Sequence, residues 1–153
     1  MTPLLLALLL QSAPAAPACT ATVPPPAGLE AWSTISAITM GPISIGQGTG
    51  LMLQPIDSIR LPIVPERKPA PGTFGGVYTF NVKTGGTYRV VLEAGAWIDL
   101  VRGSESLKSV AHTEGPACST IRKIVDFDLA PGLYKLQLSG AKKAPMRILI
   151  AQK

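Results

Sequence analysis

Two segments, VYTFNVKTGGTYRVVLEA and IVDFDLAPGLYKLQLS, alternate apolar and polar residues with a period of two. That period belongs to strands buried on one face, because successive side chains leave a strand on opposite sides. In the first segment Tyr78, Phe80 and Val82 fall on one face, and Tyr88, Val90 and Leu92 repeat the pattern with Arg89 facing out. In the second, Val125, Phe127 and Leu129 oppose Asp126 and Asp128, and Tyr134, Leu136 and Leu138 oppose Lys135 and Gln137. Adjacent glycines in KTGGT accept positive φ, and Pro131-Gly132 presets a turn. The pattern therefore predicts two β-hairpins. In the second, matching inner faces sets Leu129 opposite Tyr134 and Phe127 opposite Leu136. The same register sets Asp128 opposite Lys135, an ion pair worth a few tenths of a kcal/mol.

Further strands are expected in AWIDLVR, LKSVAH, PMRILIA, GLMLQPI and SIRLPIV. No helical period of 3.6 survives the fifteen glycines and fifteen prolines, and GQGTG reads as a turn before a strand rather than a phosphate loop. Short strands at regular spacing without intervening helices predict an all-β fold. We expect an antiparallel β-sandwich or jelly-roll-like domain of about eight or nine short strands. The chain divides into a signal peptide (1–18), a Pro-rich segment (19–34) lying extended with Trp32 anchoring its end, and a β-sandwich domain (35–153).

The signal reading rests on an apolar run at residues 4–10 followed by two A-x-A matches, Ala13-Pro14-Ala15 and Ala16-Pro17-Ala18. The run is too short to span a bilayer, which takes about 20 apolar residues, so no transmembrane anchor is expected after its removal. A periplasmic or secreted location gives the two cysteines meaning. In an oxidising compartment they are expected to pair as Cys19–Cys118, the alternative being lipidation of Cys19.

The net charge is +5, but no run of basic residues exceeds two and no aromatics interleave with them. Nucleic-acid binding needs a concentrated patch, so the expected partner is an envelope or extracellular ligand. Catalytic motifs such as G-x-S-x-G and HExxH are missing, and His112 is the single histidine. No catalytic residue, metal ligand or cofactor is assigned. Asp126 with Asp128, or Asp99 with Glu93, are the carboxylate pairs that could be considered for glycoside cleavage; a solvated charged face explains them more simply. The candidates for a binding site are Trp97, Asp99, His112 and Glu114. Asp99 sits between Trp97 and Val101 on one strand face, so burial would oblige it to find a partner. The backbone N–H groups of the 112–118 loop are the expected one. Trp32 and Trp97 could instead form a stacking platform for carbohydrate.

The ordered series Tyr78, Phe80, Val82, Gly85, Gly86, Tyr88, Val90, Asp99, Leu100, Pro131, Gly132 and Tyr134 resembles the bacterial pre-peptidase C-terminal type of β-sandwich. The likeness covers roughly the second half of the chain. It implies a secreted, non-catalytic accessory domain; no catalytic domain accompanies it within these 153 residues. The segments GAWIDLVR and CSTIRKIVDFDLAPG are also similar to short exported bacterial proteins labelled homogentisate 1,2-dioxygenase. That label implies an iron enzyme, whose non-haem iron takes histidines plus a carboxylate; one histidine cannot supply the set.

Overall fold

The computed structural model describes residues 14–153, so most of the expected signal peptide lies outside the described residues. The fold is an all-β sandwich. Eleven strands follow in chain order: β1 (Ile35–Thr39), β2 (Gly48–Leu51), β3 (Gln54–Pro55), β4 (Phe74–Val82), β5 (Gly86–Leu92), β6 (Trp97–Arg102), β7 (Glu105–Leu107), β8 (Ala111–Thr113), β9 (Lys123–Leu129), β10 (Gly132–Ala141) and β11 (Met146–Gln152). One sheet has the order β1-β2-β11-β5-β9-β8 and the other β3-β4-β10-β6-β7. Every pairing is antiparallel except β1 with β2.

The inward rows are those the alternation assigns. Tyr78, Phe80, Val82, Tyr88, Val90, Leu92, Val125, Phe127, Leu129, Tyr134, Leu136 and Leu138 all lie in the main core between the sheets. Neither expected hairpin forms, however. Strands β4 and β10 belong to one sheet, β5 and β9 to the other. Phe127 pairs with Tyr88 and Leu129 with Gly86, while Tyr134 pairs with Phe80 and Leu136 with Tyr78. Each supposed hairpin is an arch that carries the chain from one sheet to the facing one. The physical reason is that alternation specifies which face is buried, whereas a hairpin and an arch bury the same faces. The first sets them side by side, the second opposite each other across the core. Asp128 consequently lies opposite Thr87, whose hydroxyl donates to its Oδ1 at 2.6 Å, and not opposite Lys135.

Both arches are built alike. Gly86 (φ +159°) and Gly132 (φ +148°) take backbone angles that L-residues avoid. In each case the first inward tyrosine reaches back four residues: Tyr88 Oη donates to Thr84 O at 2.6 Å, and Tyr134 Oη to Ala130 O at 2.7 Å. A buried tyrosine thus satisfies its hydroxyl and ties down the crossing at once. Phe80 and Tyr134 stack at 5.6 Å between centroids.

Three other expected strands fail locally. Residues 58–64 form no strand. Pro62 and Pro65 remove ladder donors, and the N–H and C=O of Ile63 are both bound by the side chain of Gln137. GLMLQPI and LKSVAH are each split between the sheets: Leu51 ends β2 and Gln54 opens β3, and Leu107 ends β7 and Ala111 opens β8.

Outer positions of β5, β9 and β11 are also apolar: Val91, Ile124 and Leu149. They form a second cluster with Leu29, Trp32, Ile121 and Ala151. The segment before β1 therefore covers the outer face of its sheet. Cys19 is disulfide-bonded to Cys118 with Cα atoms 5.6 Å apart, and Val23 N–H donates to Cys118 O at 2.8 Å. Trp32 is 1% exposed; its indole N–H donates to Thr120 Oγ1 at 3.1 Å, and the Arg147 guanidinium lies over its ring. Among the described residues no helix is long and apolar enough to cross a membrane.

Candidate functional site

Beyond β7 and β8, the short strands that end their sheets, the sandwich opens into a cleft of about 620 Å³. This is within the usual range for small-molecule sites, about 300–1,000 Å³. Three sequence candidates meet there from three directions. Trp97 and Asp99 come from the outer face of β6, His112 from β8. Val125 and Phe127 supply an apolar back wall from β9, and Glu66 enters from the loop between β3 and β4.

Asp99 is buried, as its place between Trp97 and Val101 requires. Its Oδ2 accepts from Gln137 Nε2 at 3.0 Å. This partner replaces the expected one: Asp99 holds no backbone of the 112–118 loop. Gln137 stands directly opposite Asp99 in the β10–β6 ladder, fully buried, and its remaining groups clasp Ile63 through N–H to Oε1 (3.2 Å) and Nε2 to O (3.1 Å). Asp99 therefore anchors the loop over its sheet by way of a carboxamide. Burial pushes the Asp99 carboxyl above the usual carboxylate range, opposed by the Gln137 and Trp97 side chains.

Lys123 completes the cleft. It opens the inward row Lys123, Val125, Phe127, Leu129, so its parity already marked it as a charge directed between the sheets. Its Nζ donates to Ala96 O at 2.9 Å and lies 5.7 Å from the centre of the Trp97 ring. Burial lowers its pKa, and the nearby Asp99 charge pulls the other way. Trp97 itself is half-buried, its ring flanked by this ammonium.

Glu114 lies outside the cleft. It is exposed, paired with Arg122, and lines a separate hollow of about 590 Å³ beside the Cys19–Cys118 bridge. The hydrogen bond and charge of Arg122 lower its pKa. Asp126 also departs from expectation. Although it faces out, it is buried between Arg89 (3.3 Å) and Lys153 (3.2 Å), on the opposite side of its sheet from the cleft. Asp128 is exposed and held by Thr87. These two carboxylates thus have structural partners.

The ligand set of a non-haem iron does not fit. His112 and Asp99 share the cleft, but the chain has no second histidine, and among the described residues no three His, Cys, Asp or Glu side chains gather as a metal site would need. No protein-family model matches the chain, and a search of the curated proteins likewise returns no match.

Proposed function

We propose that this protein is an exported, non-catalytic β-sandwich binding module that takes a small polar, saccharide-like ligand against Trp97 in the cleft beyond β7 and β8. The convergence of Trp97, Asp99, His112 and Lys123 on one cavity carries this reading. An aromatic face with a few convergent polar groups is the usual make-up of a small-molecule site. Trp32 is no part of it, because it is buried under the second cluster, so a two-tryptophan platform is replaced by one aromatic wall. Export to the periplasm or beyond is supported by the disulfide, which persists in oxidising compartments. It is also supported by the apolar run and small-residue sites at the start of the chain. The resemblance to the pre-peptidase C-terminal sandwich agrees with an accessory, non-catalytic role.

Tryptophan fluorescence tests the proposal, since Trp97 is half-exposed and Trp32 is enclosed. Titration with soluble neutral oligosaccharides is expected to change the emission of the parent protein and of Trp32→Phe, but not of Trp97→Phe. A response that survives in Trp97→Phe and vanishes in Trp32→Phe would reject the cleft as the site.

A further inference from the structure

Trp97 also lines a second cavity, of about 440 Å³. Arg67, Lys68, Lys123 and Lys142 line it, and no carboxylate does. Four cations around one hollow repel one another, and none of Arg67, Lys68 and Lys142 makes an ion pair among the described residues. Ser139 lines the same hollow. It is fully buried, and its hydroxyl has no hydrogen-bond partner among the described residues. Its oxygen has no accessible surface, so the hydroxyl lies behind the wall of the hollow. An oxyanion in the hollow would neutralise the cations.

Trp97 and Lys123 line this cavity and the cleft alike, so the two share a wall. We propose that the basic cavity is an oxyanion subsite, receiving the carboxylate, sulfate or phosphate substituent of an acidic saccharide whose ring lies against Trp97. This rests on the reading of the cleft as a saccharide site and extends it to the ligand's charge. The loop that Gln137 clasps at Ile63 carries Glu66 to the cleft and Arg67 and Lys68 to the basic cavity. The Asp99–Gln137 pair is thus a positioning device for both.

Calorimetric titration of the full chain with oligogalacturonate, dextran sulfate, dextran phosphate and neutral dextran of matched length, at fixed ionic strength, tests this. One or more of the acidic series is expected to bind about tenfold or more tightly than neutral dextran, and the one that binds best identifies the oxyanion. Arg67→Ala/Lys68→Ala is expected to lower that affinity about tenfold. Lys83→Ala/Lys135→Ala, which removes equal charge from exposed positions outside the cavity, is expected to change it less than about twofold. Equal losses in the two double variants would overturn the proposal as mere net-charge attraction, and so would acidic ligands binding no better than dextran. Dextran binding without an acidic advantage would overturn the subsite alone. Arg67/Lys68-dependent affinity unchanged in Trp97→Ala would keep an oxyanion site and overturn the cleft.

Discussion

Gln137 stands opposite Asp99 in the β10–β6 ladder and donates its carboxamide N–H to the carboxylate at 3.0 Å. Both side chains leave the outer face of their sheet, yet both are buried, because the loop clasped at Ile63 closes over them. The stability of this pair is pH-dependent. Burial, the largest influence, raises the Asp99 pKa in the folded protein. The fold therefore carries a penalty while the group is ionised; the penalty fades as pH falls through the raised folded value and is gone below the unfolded value of about 3.9. Asp99→Asn keeps an acceptor for Gln137 and removes the charge. It is expected to match or exceed the parent in urea stability at pH 7, with any advantage shrinking as pH falls toward about 4 and gone below it. An advantage that grows on acidification would contradict the assignment.

Gln137→Ala leaves a buried carboxylate without its hydrogen bond and frees both backbone groups of Ile63. A loss of about 2–4 kcal/mol is expected from the orphaned groups. Limited trypsin digestion should cut first at Arg60 or Arg67, which lie in the exposed loop this residue holds. Resistance equal to the parent would mean that the clasp is dispensable.

The Cys19–Cys118 bridge spans 99 residues. Closing a loop of that length constrains the unfolded chain by about 4–5 kcal/mol in the loop-entropy model. Chemical denaturation of Cys19→Ser/Cys118→Ser should show a loss of that order. Thiol titration of the denatured parent without reductant should find no free thiol; two would refute the bridge.

The two tryptophans are expected to separate stability from binding. Trp32→Ala empties the centre of the outer cluster and should cost about 3–5 kcal/mol. Trp97→Ala, at a half-buried position on the cleft, should cost clearly less while abolishing the ligand response. Equal thermal losses for the two would argue that Trp97 is simply core.

Tyr88→Phe and Tyr134→Phe each delete the hydroxyl that ties an arch to its own start. Each is expected to lose about 1 kcal/mol, and the two losses should add, because the arches share no hydrogen-bond partner. Thermal or urea melts of the single and double variants check this.

Much of the site was foreshadowed in the chain. Asp99 between Trp97 and Val101 had to be buried and partnered, and it is. The partner could not be read, because Gln137 lies 38 residues away on a face that alternation alone assigns to solvent. Lys123 was legible as an inward charge from its parity with Val125 and Phe127. Glu114 shares the His112 loop in sequence, but it turns to Arg122 and away from the cleft.

Local chemistry settles which side of each strand faces the core and where the chain bends. Tyr78, Phe80 and Val82 point inward, and Gly86 and Gly132 turn, for reasons contained within a few residues. The choice of sheet for each strand is not local. Backbone hydrogen-bonding groups are the same at every residue, so β9 can pair with β10 or with β5 without changing its buried face. Packing two inward faces against each other across one core, with the N-terminal segment covering Val91, Ile124 and Leu149 behind, selects the arches over the hairpins. That selection opens the cleft beside Trp97.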